Sequence, residues 1–342
     1  MKAPLWQGLT VCAAALAGWA VSLTGMPLGW MIGAMLITAF AALAQLPARA
    51  PARVFDLVRA AVGTMLGAAF TIDLLRSFPQ WWGSLLALLL ALTVMFVLAY
   101  VSLRRLAGFD RPSALLCAIP GGIAEMILLS DKAGADQARV AIAHALRISI
   151  TILILPVLIW LLTGVLPVSS GAAAPLVPSS TDIFWFTLCV AVGFLARKWK
   201  AVPAPLVIVP MVLSGALHIG GVTAFEVPEV LANVVQVFIG INVGGRFAGV
   251  SARALLAVLG SALLVVGIQI FISFAAATGA AHALGLDLLT LTLAYAPGGL
   301  AEMSLIAVAS DADVAVVGLH HVFRVLAALI AAPWLLKVVL KP

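Results

Sequence analysis

The chain has 342 residues, 64% hydrophobic and 9% charged, with 19 Lys+Arg against 13 Asp+Glu for a net charge of +6, and a mean hydropathy of +1.21. Soluble domains carry about 25% charged residues, so a water-facing skin cannot be drawn from this composition, which is that of an all-α polytopic membrane protein. The excess of cations reads as the positive-inside bias of short cytoplasmic loops, so the expected partner is the lipid bilayer, with no nucleic acid.

Six apolar stretches occupy the first half, at about 8–24, 27–46, 54–75, 81–103, 112–130 and 138–164, each near the ~20 residues of a helical span. The first, Leu9–Leu23 behind Lys2, has the look of a signal peptide, but the duplication described next argues that it is retained. The third opens with Asp56 and Arg59, three apart and read as a local ion pair. It continues with Gly63 and Gly67, whose four-residue spacing lets a neighbouring helix approach closely. The fifth is interrupted at its centre by Pro120-Gly121-Gly122, which removes a backbone donor and weakens the helix, so two half-helices are expected in place of one rod. Asp136 stands where an N-terminal cap of the sixth stretch belongs, and His144 and Arg147 share one face of that helix. Cys12, Cys117 and Cys189 lie in apolar runs without paired spacing and read as core residues.

The second half repeats the first. At a shift of 177 residues, Pro120-Gly121-Gly122-Ile123-Ala124-Glu125-Met126 falls on Pro297-Gly298-Gly299-Leu300-Ala301-Glu302-Met303. The register also pairs Cys12 with Cys189, Pro51 with Pro228, Gly63 and Gly67 with Gly240 and Gly244, Phe70 with Phe247, Asp136 with Asp313, His144 with His321, Arg147 with Arg324 and Pro156 with Pro333. Two homologous repeats, 1–172 and 178–342, are therefore expected, joined by Val168-Ser169-Ser170-Gly171 and the Ala/Pro stretch ending at Ser180.

Loop charges set the number of crossings. Lys2, Arg49, Arg53, Arg104, Arg105, Arg111, Arg197, Lys198, Lys200, Arg246, Arg253, Lys337 and Lys341 mark cytoplasmic loops and cytoplasmic termini, whereas the loops near 25, 167–181, 216–228 and 279–287 contain no Lys or Arg. Arg76 and Lys132 do not fit the division cleanly. Each half then crosses about five times, and the Pro-Gly-Gly segment gives up its crossing as a re-entrant hairpin. An odd number of crossings inverts the second repeat relative to the first. Inverted repeats with helices broken near the midplane are the plan of secondary transporters; a six-crossing half with parallel repeats is the alternative. Trp6, Trp30, Trp81, Trp82, Trp160, Trp185, Trp199 and Trp334 lie near span ends, as an interfacial belt requires.

The candidate substrate and ion site is Pro120, Gly121, Gly122, Glu125, His144 and Arg147 with Pro297, Gly298, Gly299, Glu302, His321 and Arg324. A carboxylate at the N-terminal end of a half-helix is favoured by the dipole, and an acid inside a membrane segment is a candidate for ion coupling; a helix cap or a structural salt bridge is the competing role. Arg147 and Arg324 either pair with Glu125 and Glu302 or hold a carboxylate or phosphate of the substrate by parallel hydrogen bonds. His144 and His321 could relay protons or merely pack. His218, His282 and His320 have no repeat partner and read as incidental. Asn233, Gln236 and Asn242 of the second repeat stand opposite Asp56, Arg59 and Met65, an asymmetry expected of a duplicated scaffold that binds one substrate molecule.

The duplicated Pro-Gly-Gly-[Ile/Leu]-Ala-Glu-Met motif with His-x-x-Arg downstream resembles the bacterial AbrB-duplication membrane family, over essentially the whole chain. The resemblance implies an inner-membrane protein, and its plan is similar to that of inverted-repeat cation/proton antiporters and anion transporters. Members carry the labels ammonia monooxygenase and regulator of gene expression. The first fits poorly, because a copper oxygenase needs clustered imidazoles and the five His are scattered, so no enzyme is expected. Regulation would act indirectly through a membrane partner, since the chain has no soluble domain able to meet DNA. The leading expectation is a secondary transporter or exporter of a small polar or anionic metabolite, working by alternating access, with H⁺ or Na⁺ as coupling ion, no cofactor, and a homo-oligomer compatible with the plan.

Overall fold

Long runs of Ala, Leu, Val and Ile carry no polar side chains to satisfy the backbone, so in a bilayer each N–H and C=O must find its partner within its own segment. The computed structural model is accordingly helical. It describes residues 2–70, 72, 81–163, 179–199, 202, 204–225 and 227–339. The linker around Val168–Gly171 and the charge markers Arg76, Lys200 and Lys341 lie outside the described residues.

The described helices are α1 (Lys2–Ser22), α2 (Gly29–Leu43), α3 (Ala52–Ala68), α4 (Trp81–Arg105), α5 (Arg111–Ala118), α6 (Ile123–Ala133) and α7 (Gln137–Thr163). They continue with α8 (Ser180–Leu195), α9 (Pro205–Ile219), α10 (Glu229–Gly244), α11 (Ala252–Leu284), α12 (Leu288–Tyr295), α13 (Leu300–Ala309) and α14 (Val314–Val339). The fifth apolar stretch is two helices, α5 and α6, parted at Pro120-Gly121-Gly122, and α12 and α13 part likewise at Pro297-Gly298-Gly299.

Among the described residues seven helices are long and apolar enough to cross a membrane: α1, α4, α7, α11 and α14, with α8 and α10 once their 3-10 continuations carry them to Lys198 and Phe247. The 15-residue α2 and α9 and the 17-residue α3 reach only about 22–26 Å, short of a ~30 Å hydrocarbon core. Leu90, Phe271 and Ile330 on α4, α11 and α14 are exposed, as lipid-facing positions are. Trp6, Trp82, Trp160, Trp199 and Trp334 are exposed too, whereas Trp81, assigned to the same belt from sequence, is buried.

Two compact units result. One comprises Met1–Pro79, Pro156–Ala248 and Ser304–Ala315; the other comprises Gln80–Leu155, Gly249–Met303 and Val316–Pro342. Each unit draws on both sequence halves, 1–172 and 178–342: the first three helices of each half lie in one unit and most of the last four in the other.

In the first unit, α3 packs along α9 and α10 along α2, so the second and third helices of the repeats are paired crosswise. Glycine makes the approach close. A methyl group built on Gly63 would overlap the carbonyl oxygen of Val207, and one on Gly67 that of Met211; on Gly240 and Gly244 it would overlap those of Met31 and Met35. The main-chain atoms are therefore in contact across the seam, the arrangement that small-residue spacings permit in membrane helices.

The 177-residue register slips here. Leu28 and Ala204, just before α2 and α9, both adopt left-handed φ (56° and 45°), as do Gln45 and Gly221 after them (60° and 64°). Both pairs are 176 apart, so the ungapped match read from sequence gains a one-residue offset across the second helix. Asp56 and Arg59 form the expected local pair at 3.8 Å.

The second unit contains α4, α5, α6, α7 as far as Leu155, α11, α12 and α14 from Val316. Its core joins Leu103 of α4, Leu115 and Leu116 of α5, Met126 of α6, Val140 of α7, Val265 of α11 and Ala332 of α14. Asp110, Asp136 and Asp287 cap the N-termini of α5, α7 and α12, each accepting from a backbone N–H three residues on, and Asp313 accepts from Ala315 N before α14.

Gly63→Ala or Gly240→Ala should destabilise the protein by about 1–3 kcal/mol, because the packed backbones must separate. Gly267→Ala on α11, where an added methyl meets nothing within 4 Å, should be neutral or stabilising by about 0.5–1 kcal/mol. Thermal unfolding in detergent compares the three, and equal melting temperatures would contradict the close seam.

Candidate functional site

The duplicated motif can be read atom by atom in the second unit. Ile119 is extended (φ −72°, ψ 123°), ending α5, and Pro120, with no N–H, cannot continue it. Gly121 leaves room for Met126: a Cβ there would lie 2.9 Å from Met126 Cε, and Met303 packs on Gly298 in the same way. Gly122 is the N-cap of α6 (φ −71°, ψ 144°), and a Cβ on it would overlap the carboxylate of Glu125, as one on Gly299 would overlap that of Glu302. Each acid therefore folds back over the glycine that begins its half-helix, where the positive end of the dipole favours it. Pro, both Gly, Glu and Met thus each have a steric or electrostatic reason. Glu302 is buried, while Glu125 is partly exposed.

Breaking a helix strands carbonyls, and side chains from neighbouring helices receive them. On α7, Arg147 donates from Nη1 to Ile119 O (3.2 Å) and from Nη2 to Gly121 O (2.9 Å), and His144 donates from Nε2 to Leu116 O (3.0 Å). On α11, Gln269 donates from Nε2 to Ala118 O (3.2 Å). The second repeat is built alike. Arg324 on α14 donates to Ala296 O and Gly298 O, His321 to Leu293 O at 3.0 Å, and Ser273 on α11 to Tyr295 O at 2.8 Å. Four carbonyls around each break are thus paired inside a medium that offers them no water.

All twelve residues of the predicted site fall in this unit, grouped as two clusters: Pro120, Gly121, Gly122, Glu125, His144 and Arg147 around one break, and Pro297, Gly298, Gly299, Glu302, His321 and Arg324 around the other. The partners found for the two guanidiniums are main-chain oxygens, an acceptor that sequence reasoning did not consider for them; Glu302 also acts electrostatically on Arg324. Both His have the donor role of packing residues, with Nε2 carrying the proton on a carbonyl.

Sequence reasoning missed Gln269 and Ser273, two polar residues four apart in the middle of α11. It also read His320 as incidental. His320 is fully buried, with Nδ1 donating to Val316 O (2.8 Å) and Nε2 lying 2.8 Å from Ser84 Oγ, while the Tyr295 hydroxyl donates to Ser84 O (2.6 Å). The polar residues Asn233, Gln236 and Asn242 of α10 belong to the other unit, where Asn242 Oδ1 accepts from Arg246 at 3.5 Å.

Over residues 6–340 the chain matches the family described as "Transition state regulatory protein AbrB". It is 27% identical over 353 residues to "Uncharacterized protein YhjN" of Bacillus subtilis (strain 168), covering 94% of this chain and 90% of the relative. It is 24% identical over 322 residues to "Putative regulator AbrB" of Escherichia coli (strain K12), covering 90% and 89%.

Arg147→Met strands the Ile119 and Gly121 carbonyls and should lower stability by about 1–3 kcal/mol for each one left unpaired. Arg147→Lys keeps the charge but cannot fork to two oxygens, so its melting temperature should fall between those of wild type and Arg147→Met. An Arg147→Met protein as stable as wild type would contradict the clamp.

Proposed function

The chain belongs to the AbrB family of membrane proteins of the duplicated type, and from that premise we propose that it is a secondary transporter of a small polar or anionic metabolite. The observation that carries this reading is the pair of interrupted helices in the second unit, each with an acid at the start of its second piece and a guanidinium across the gap. Ionisable groups in membrane segments mark substrate and ion paths, and interrupted helices are where transporters place them. In this reading the halves cross about five times each, lie inverted across the inner membrane with both termini cytoplasmic, and alternate access around the two breaks. Glu125 and Glu302 couple movement to H⁺ or Na⁺, and their unequal exposure suits one acid open to solution while the other is shut.

Proteoliposomes loaded with a pH-sensitive dye and challenged with a panel of small acids and amines test this. Wild type should show gradient-driven flux of at least one solute, and Glu125→Gln with Glu302→Gln together should abolish its dependence on the H⁺ or Na⁺ gradient. Flux unaffected by the double substitution would remove the coupling role.

The second reading is a membrane-embedded regulator of gene expression that acts through a protein partner and transports nothing. The names of the family and of the Escherichia coli relative favour it. It requires no flux of any solute and a protein that co-purifies.

A further inference from the structure

The two breaks share a plan, but the helices that leave them are held differently. In the first repeat α6 folds back toward the start of α5: Asp136 N, just past α6, donates to Ser113 Oγ in the first turn of α5 (2.9 Å), so α6 returns to the end at which α5 began. Among its described side chains only Met126 and Ser130 are buried, and Leu128 is 62% exposed. In α13 the residues from Glu302 to Ala307 are all buried, and Leu305, at the position of Leu128 in the 177-residue register, is 4% exposed.

The turns that bound the two helices differ in the same sense. α6 lies between Gly122, its N-cap, and Gly134, its C-cap at φ 65°. Glycine adopts and leaves that left-handed conformation without strain. Asp311 stands at the position of Gly134 with φ 54°, a conformation that costs a residue with a Cβ more than it costs glycine. The second break is also pinned from the side. The Tyr295 hydroxyl at the end of α12 donates to Ser84 O of α4 (2.6 Å), and His320 Nε2 lies 2.8 Å from Ser84 Oγ. Ala118 and Ala143 occupy the matching positions of the first repeat, and neither has a polar side-chain atom with which to make such a tie.

We propose that α6 is the moving gate of this protein and that α12 and α13 are its fixed counterpart. A helix with few buried side chains opens at lower free energy than one that is covered, and hinges are the few residues at the ends of an element that absorb the change in φ and ψ. α6 turns on Gly122 and Gly134 and carries Glu125 between solution and the break. Arg147, His144 and Gln269 meanwhile keep their hold on the carbonyls at the end of α5. The large buried side chain that must leave its place is Met126, packed over Gly121, and methionine is unbranched and repacks readily. The proposal rests on the transport reading, for which it names the element that moves.

The test uses the full chain in lipid nanodiscs, read by hydrogen–deuterium exchange of peptides covering 123–133 and 300–309. Amides of α6 should exchange about tenfold faster than those of α13, or more, because exchange follows local opening. A lock supplies the second arm. Ser113→Cys with Asp136→Cys, in a background of Cys12→Ala, Cys117→Ala and Cys189→Ala, puts two thiols where Ser113 Oγ and Asp136 N now bond. Closing the bridge by oxidation should slow exchange in α6 by about tenfold and stop proteoliposome flux, and reduction should restore both. Equal exchange in the two helices, faster exchange in α13, or flux that continues with the bridge closed would overturn the proposal. If the double cysteine variant does not fold, the exchange ratio of the wild type decides. Faster exchange in α6 without flux of any solute keeps α6 as the mobile element and removes the transport reading; gradient-driven flux with equal exchange does the reverse.

Discussion

A helix broken inside a membrane protein exposes carbonyls that neither water nor the next turn can satisfy, and the forked guanidinium of an arginine is the side chain best shaped to hold two of them at once. Arg147 spans Ile119 O and Gly121 O, and Arg324 spans Ala296 O and Gly298 O. The bond is mutual in its benefit. Burying a guanidinium is expensive on its own, and burying bare carbonyls costs about 1–3 kcal/mol each; together they offset one another, helped by the negative end of the preceding half-helix. The His, Gln and Ser donors around each break extend the same solution to the carbonyls just before it. These donors take up the C-terminal ends of α5 and α12, and at the opposite ends of the breaks Glu125 and Glu302 fold over glycine.

Duplication supplies the two breaks, and departures from it supply the difference between them. Gln269 and Ser273, one turn apart on α11, serve one break each, so a single helix of the second repeat braces both. Tyr295 and His320 both reach Ser84, whereas the matching positions of the first repeat hold Ala118 and Ala143. In the first unit the departures are smaller: a one-residue slip across the second helices preserves the glycine seams, because the contacts of Gly63 and Gly240 both fall on a carbonyl of the opposing short helix.

Much of this was legible in the sequence because it depends on local chemistry. Proline and glycine interrupt a helix wherever they stand, so the break at Pro120-Gly121-Gly122 could be placed to the residue, and the stretches 81–103 and 138–164 differ from α4 and α7 by no more than two residues at either end. Asp136 and Asp313 could be read as caps because a cap acts on its own helix. The partners of Arg147 and Arg324 were not legible, since a main-chain oxygen 26–28 residues away leaves no mark of its own in the sequence, and a nearby Glu is the more conspicuous acceptor. His320 was passed over because the repeat was searched for matches, whereas its meaning lies in the mismatch with Ala143. Compact units that draw on both halves depend on helix pairing at long range, which periodicity does not record.

The clamp can be measured without substitution. In lipid-reconstituted protein, dipolar recoupling between a ¹³C-labelled Gly121 carbonyl and ¹⁵N-labelled arginine guanidinium reports their separation directly. A hydrogen bond of 2.9 Å from Nη2 to that oxygen places the nitrogen within about 4 Å of the carbonyl carbon, and dephasing that corresponds to this separation is the expected result. A nearest guanidinium nitrogen at roughly 6 Å or more, beyond hydrogen-bond reach, would contradict the pairing of arginine with the broken helix.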